Sequence, residues 1–569
     1  MRENFAHTGR LVRFMLRRER IVSTIWIVSI VLFSVALAPG MAGLFDADAR
    51  QQFAEVYNNP VMVGMLGPIY GADNYTAGAM YGGMMLLWIS LTAAIMNVFI
   101  VARHTRADEE RWRAEVVRSL PVGRLANINA AMILALILNF ILAVTLGLGV
   151  FAAQVESMDF ISCMLYGMVT GAVGLVFAAI TAVFCQLSSN TGSAMGLSFL
   201  SLGVCYMLRA AGDASMMNTS NDGVNKSNEF LSYISPLGLA QRSKVFVEND
   251  FVPLIFLIIT AILISLLAFK LNSVRDLGQG FIPARPGRKT ALPAMLSPFG
   301  FSFRLLSTMI LVWVIVMFSL GASYGSVIGD VPGFVSESPE YLMLMGVSEE
   351  MAEHASDEVK AEMIVDGFGT FVTSMMTLIA MIPLLMAALK LRSEEKEGRA
   401  ENILSRSVSK TKYLCCFTTI AFALSAIMQL ATLLGLYYVT DAVTSANGVS
   451  NPFVLEKVFK ASMAYLPALW IIIGFAVLLV GFFPKATGVI WGFYGFICFT
   501  TLVGGMGILP NWLEKISPMA HIPIIRVTDL AHLQSDEVSI LSLAVMSGIA
   551  LLLTTIGFIG YSRRDLLTH

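Results

Sequence analysis

Charge is scarce in this 569-residue chain: Asp, Glu, Lys and Arg make up 14% of it, where a soluble protein carries about 25%. Hydrophobic residues make up 56%. Water is therefore not the main solvent, and apolar runs of about 20 residues recurring from end to end make the bilayer the simplest host. Basic and acidic residues nearly cancel, 38 against 39, so no cationic field exists to attract nucleic acid. The six cysteines (Cys163, Cys185, Cys205, Cys415, Cys416 and Cys498) lie in or beside apolar runs. They lack zinc-site or disulfide spacing and read as small packing residues.

Motifs that carry chemistry are equally sparse. Gly287-Arg288-Lys289-Thr290 has neither the Gly-Lys step nor the glycine spacing of a phosphate-binding loop, so ATP hydrolysis by that route is not expected. Six histidines form no His-x-x-x-His pair, and neither a nucleophile elbow nor a carboxylate dyad stands out, which argues against a membrane enzyme. No metal or cofactor is expected on this chain. The apolar centres hold almost no ionisable side chain, whereas a proton-coupled carrier needs a place to seat its proton. Arg209 is the main exception and is expected to snorkel toward an interface. Asn97, Asn139, Gln186 and Gln429 are expected to tie helices together.

What is present is a series of twelve apolar runs, near 21–45, 76–102, 125–153, 160–186, 193–212, 251–270, 305–328, 367–389, 411–438, 458–483, 487–508 and 538–561. Ala36-Leu37-Ala38 imitates a signal-peptidase site, but the run from Ile21 to Phe45 is longer than a signal h-region and reads as a span. With both termini placed in the cytoplasm, 28 of the 38 basic residues fall on the inner side, the arrangement the positive-inside bias favours. The outer segments 46–75, 213–250, 329–366, 439–457 and 509–537 are mixed or acidic. Some, such as Ser348 to Val365, have the composition of short surface helices.

The chain also resembles itself. At a constant offset of 286, Arg106, Glu109, Arg113, Ala114, Glu115, Ser119 and Val122 match Arg392, Glu395, Arg399, Ala400, Glu401, Ser405 and Val408, where chance gives roughly one identity in such a window. Other landmarks recur in order: Trp26 and Trp313, Pro60 to Gly67 and Pro339 to Gly346, and Ile234-Ser235-Pro236 and Ile516-Ser517-Pro518. The expected fold is all-α and polytopic, with twelve transmembrane helices in two six-helix repeats. The first, 1–271, carries an N-terminal cytoplasmic segment; a cytoplasmic linker, 272–303, rich in proline, joins it to the second, 304–569. Parallel repeats of this kind place a cavity between the halves.

The two copies of the matched segment are the most polar inner features. His104 to Arg124 places Asp108, Glu109, Glu110 and Glu115 among arginines, with Trp112, Val116 and Leu120 as an i, i+4, i+8 apolar stripe. The second copy has Glu394, Glu395, Glu397 and Glu401 beside Ala400, Leu404 and Val408. Each reads as one amphipathic helix at the membrane surface, and a doubled acidic helix suits docking of two copies of a partner through charge complementarity.

At these residues the chain resembles the permease family of ABC-2-type (type V exporter-like) exporters of tetronasin and other polyketide antibiotics. The matching stretches are Thr8-Gly9-Arg10-Leu11 with Leu16-Arg17-Arg18-Glu19-Arg20, Val101 to Glu110, and Ser235 to Arg242. Further on come Arg275-Asp276-Leu277-Gly278 and Pro283-Ala284-Arg285-Pro286-Gly287. The likeness is close over the first half and linker and is mainly one of layout thereafter. It implies a twelve-span permease in a bacterial plasma membrane, paired with a homodimer of a separate ATP-binding subunit that holds ATP and Mg. It also implies export of hydrophobic or amphipathic compounds, drug-like or peptide. In such permeases the loop after the second span is the coupling helix, here about 103–120 and 389–406, which assigns ATPase coupling to Arg106, Asp108, Glu109, Glu110, Trp112, Arg113, Glu115, Arg392, Glu394, Glu395, Glu397, Arg399 and Glu401. The second copy departs from the first, with Gly398 in place of Trp112 and Ser407 in place of Pro121.

Two other readings share the same outline. A drug/proton antiporter also has twelve spans in two halves, but its Gly-x-x-x-Asp-Arg-x-Gly-Arg-Arg loop is absent from this sequence. A non-transporting sensor or scaffold could use the same partner, and only substrate-dependent efflux separates it from an exporter.

Overall fold

The computed structural model describes residues 2–44, 47–57, 60–217, 226–276, 278–283, 289–326, 328, 357–446, 448–504, 510–523, 525–528 and 540–565. Among them every extended element is helical; the one β feature is an isolated bridge between Phe453 and Thr528. Eleven helices are long and apolar enough to cross a membrane. The chain is therefore a polytopic helical membrane protein, and its contacts divide it into two compact units, Met1–Gly287 and Arg288–His569.

The first unit opens with α1 (Thr8–Leu44), α2 (Ala47–Tyr57) and α3 (Pro60–Leu66), followed by α4 (Ala77–His104) and two short helices, α5 (Arg106–Glu110) and α6 (Arg113–Arg118). It continues with α7 (Ala126–Ala152), α8 (Phe160–Leu187), α9 (Thr191–Met217), α10 (Lys226–Ile234), α11 (Pro236–Gln241) and α12 (Val252–Val274). Local chemistry sets several starts. Thr76 caps α4 by accepting from the Ala79 amide at 3.2 Å, and Ser235 caps α11 with Pro236 at its first position, where a missing N–H costs nothing. Helix α1 buries a seam of Val12, Met15, Glu19, Ser23, Ile27, Ile30, Ser34, Ala38 and Met41, spaced three or four residues apart as one helix face requires. That seam packs against α4 and α7. Helix α8, the most buried of the spans, packs against α4, α7, α9 and α12.

The second unit contains α13 (Pro298–Gly325), α14 (Asp357–Lys396), α15 (Arg399–Leu404), α16 (Lys410–Ala446), α17 (Leu455–Ala464), α18 (Leu466–Phe482), α19 (Val489–Gly504), α20 (Asn511–Glu514) and α21 (Ile540–Arg563). The expected run 458–483 falls on α17 and α18, which are separated at Tyr465 alone and together form one span of membrane length, Leu455–Phe482, with Pro467 at an N-terminal position of α18. The expected run 487–508 is represented by α19, whose 16 residues reach about 24 Å against a hydrocarbon core of about 30 Å; residues 505–509 lie outside the described set. So do 348–356 of the expected surface helix, while Asp357 to Val365 simply begin α14. The Pro339 to Gly346 landmark is likewise outside the described residues.

Glycines let three helix pairs close until backbone meets backbone, as membrane interfaces built on small residues do. Gly167 and Gly171 of α8 sit on the carbonyls of Ala143 and Asn139 in α7. Gly321 and Gly325 of α13 face the carbonyls of Thr432 and Leu436, and Gly435 of α16 faces that of Phe318. Gly474 and Gly481 of α18 sit on the carbonyls of Ala550 and Gly557 in α21.

The uncharged polar residues tie spans as expected. Asn97 and Asn139 exchange hydrogen bonds of 3.0 and 2.7 Å between α4 and α7, Asn272 donates to Gln186 at 2.9 Å, and Gln429 donates to Thr377 at 2.7 Å. Arg209 departs from expectation. It does not snorkel but is fully buried, donating to the carbonyls of Gly64 at 2.8 Å and Met65 at 3.1 Å, with Asp213 at 3.4 Å. Burial with several acceptors replaces water for the guanidinium, and so fixes α3 against α9. All six cysteines are free thiols; Cys415 is exposed and so is not a packing residue.

Candidate coupling site

Both matched segments lie where a long helix ends, and neither forms the single amphipathic helix expected. After α4, Thr105 has φ −114° and ψ −88°, and the chain breaks again at Trp112, whose φ is +61°. In the second unit α14 runs to Lys396 and the break falls at Gly398, φ +71°. Trp112 and Gly398 are 286 residues apart, and the helices that follow them, Arg113–Arg118 and Arg399–Leu404, keep that offset at both ends. A left-handed residue is easy for glycine and strained for tryptophan, so the two copies reach one backbone path with different residues. The break leaves Trp112, Val116 and Leu120 exposed at 70%, 70% and 59%.

The acids are mostly occupied within the chain. Arg106 donates to Glu109 at 2.6 Å, and Arg275, just past α12, grips both oxygens of Glu109 at 2.9 and 2.5 Å. Arg106 also donates to the carbonyls of Ser189 at 2.5 Å, in the α8–α9 connection, and Gly278 at 2.8 Å. Arg124 donates to the Arg275 carbonyl at 3.1 Å. Asp108 is buried and paired with Arg18 of α1 at 2.7 Å and Arg113 at 3.4 Å. Glu110 accepts from the Thr191 amide at 3.0 Å, which starts α9. Beneath them Glu19 of α1 contacts His104 at 2.9 Å and Arg103 at 3.0 Å.

The second unit repeats the clamp. Arg392 pairs with Glu395 at 3.3 Å and donates to the Pro484 carbonyl at 2.9 Å, in the α18–α19 connection. Arg564, just past α21, donates to both oxygens of Glu395 at 2.6 and 2.8 Å. Lys410 donates to the Arg564 carbonyl at 2.9 Å, as Arg124 does to that of Arg275. Arg399 grips Glu394 at 2.7 and 2.8 Å and also meets Glu397; these carboxylates hold its guanidinium above its ordinary pKa. Lys390 completes the Glu394 site at 3.0 Å.

Of the sequence-selected residues, Arg106, Asp108, Glu109, Arg392, Glu394 and Glu395 thus face inward, whereas Glu110, Trp112, Arg113, Glu115, Glu397, Arg399 and Glu401 are exposed. Sequence reasoning missed the partners Arg18, Glu19, His104, Arg275 and Arg564 as parts of the site. The signal for Arg18 and Arg275 lay in the stretches Leu16 to Arg20 and Arg275 to Gly278, which carried the family likeness. Among the described residues no group of three or more His, Cys, Asp or Glu side chains could hold a metal ion.

Membrane-length helices with charged clusters gathered at their ends define a multi-pass membrane protein. A family model described as "Multidrug efflux system permease Rv1217c, C-terminal domain" matches residues 295–562. The chain is 30% identical over 573 aligned residues, 99% of its own length and 95% of the relative's, to the multidrug efflux system permease protein Rv1217c of Mycobacterium tuberculosis (strain ATCC 25618 / H37Rv). It belongs to this family of multidrug efflux permeases, and is a transporter subunit rather than an enzyme.

Proposed function

We propose that this chain is the membrane subunit of an ATP-driven exporter that moves hydrophobic or amphipathic, drug-like compounds out of a bacterial cell. A homodimer of a separate ATP-binding subunit drives it, and ATP and Mg bind there, with no cofactor on this chain. The reading includes twelve spans in two six-helix repeats, both termini in the cytoplasm, and kinship with the polyketide-antibiotic exporters of the ABC-2 type.

The observation that supports it most is the doubled clamp. A force applied to α6 is carried by Asp108 to α1, by Glu109 to the end of α12, and by Arg106 and Glu110 to the start of α9. A force on α15 passes through the Arg399–Glu394 pair to α14, and from there through Glu395 and Arg392 to the ends of α21 and α18. The exposed Trp112, Glu115, Glu397 and Glu401 meet the partner, and the buried pairs transmit its movement as a rigid-body shift of packed helices.

The test is reconstitution of the full chain with its ATP-binding subunit in proteoliposomes. Glu115→Lys with Glu401→Lys alters only exposed side chains and should abolish substrate-stimulated ATPase activity and export while leaving the chain folded. Export by the chain alone, or export that collapses with an uncoupler while ATP persists, refutes the reading and favours the antiporter.

A further inference from the structure

Helix α1 carries a cationic stripe that neither fold nor coupling site uses. Arg10, Arg13, Arg17 and Arg20 are all exposed, and none has a carboxylate partner among the described residues. Their spacing of three, four and three residues confines them to an arc of about 80° on the helix. The arc lies opposite the buried seam of Val12, Met15 and Glu19. Continued along α1, the stripe adjoins, with a turn of about 70° around the helix, a row of Ile21, Ile25, Val28 and Leu32, all exposed, which is a lipid-facing strip. Cation and lipid strip are thus one continuous surface.

Length places the stripe at a definite depth. The 37 residues of α1 extend about 55 Å against a hydrocarbon core of about 30 Å. With the apolar stretch beginning at Ile21, Arg20 and Arg17 stand within about 6 Å of the hydrocarbon edge, in the headgroup layer, and Arg13 and Arg10 about 12 and 17 Å from it. The first helix of the second unit offers a contrast, with exposed Phe299, Phe301 and Phe303 and Arg304 as its one cation in the corresponding stretch.

We infer that the Arg10–Arg20 stripe of α1 is a binding site for the phosphate headgroups of anionic phospholipid, held with the acyl chains along the Ile21–Leu32 strip. Guanidinium groups suit phosphate oxygens through charge-assisted hydrogen bonds, and anionic lipid attracts cations within about a Debye length of the surface. The site therefore has an internal gradient, strong at Arg20 and Arg17 and weak at Arg10.

The test is native mass spectrometry of the full-length chain titrated with phosphatidylglycerol and phosphatidylcholine. Phosphatidylglycerol should bind more tightly, with affinity falling about fivefold for each of Arg17→Gln and Arg20→Gln, less for Arg13→Gln and least for Arg10→Gln. Arg17→Lys with Arg20→Lys should keep the preference. For the wild-type chain, which needs no variant to fold, phosphatidylglycerol affinity should weaken as salt is raised. Equal affinity for the two lipids, indifference to salt, or unchanged binding in the Arg17→Gln, Arg20→Gln variant overturns the inference. So does displacement of the lipid by inorganic phosphate, which assigns the stripe to a soluble anion. Loss of ATP-binding-subunit capture with lipid selectivity intact assigns it instead to a protein.

Discussion

Replacing Glu109 with glutamine removes a carboxylate shared by two guanidinium groups. Glu109 is 7% exposed, Arg106 2% and Arg275 4%, so water cannot take its place. Breaking a buried ion pair from one side costs about 3–5 kcal/mol. The lower figure applies here because Arg106 keeps the carbonyls of Ser189, Gly278 and Gln279 and Arg275 keeps that of Gln279. The same change at Glu395 is milder, since Arg564 and Arg392 are 14% and 18% exposed and can be rehydrated, at about 1–2 kcal/mol. With ~3 kcal/mol on a unit of this size, Glu109→Gln should lower the unfolding midpoint by roughly 5 °C, and Glu395→Gln by about one to two thirds as much. Thermal unfolding of the purified chain in nanodiscs measures both. Adding Arg275→Gln to Glu109→Gln should recover part of the loss, because one buried cation is then removed. An equal or larger drop for Glu395→Gln refutes the assignment of Glu109 as the more deeply desolvated anchor.

Two further predictions separate backbone from side-chain roles. Trp112→Gly relieves about 1 kcal/mol of left-handed strain and loses little packing, so the unfolding midpoint should hold or rise while ATPase stimulation falls; Gly398→Trp should lower it. Asn97→Leu and Asn139→Leu should each destabilise by about 1–2 kcal/mol, because the surviving amide keeps its i−4 carbonyl but loses its partner; the double variant should lose less than the sum, as a double-mutant cycle would read.

The spans were largely legible because a bilayer imposes length and apolarity directly, and eleven of the twelve expected runs coincide with membrane-length helices. The matched segments were legible as polar islands, and their common offset holds to the residue in the helix bounds. Their internal geometry was not. Helical periodicity carried the stripe Trp112, Val116, Leu120 straight through a residue with positive φ, since tryptophan gives no turn signal; the glycine at 398 was the clue. Nor could the sequence say that Asp108 and Glu109 are spent internally. Their partners Arg18 and Arg275 lie 90 and 166 residues away, and only tertiary packing brings them together. Arg209 misled for the same reason, its acceptors being backbone carbonyls about 145 residues upstream.

The glycine seats beneath the helix pairs limit how any working stroke can run. Where a carbonyl of one helix occupies the space a methyl group would need, advancing that helix by one residue drives a side chain into backbone. Pairs α7–α8, α13–α16 and α18–α21 must therefore travel as planks. Sliding is left, within each unit, to the seams where these planks meet its other helices, and these are the places to look for a drug-sized opening.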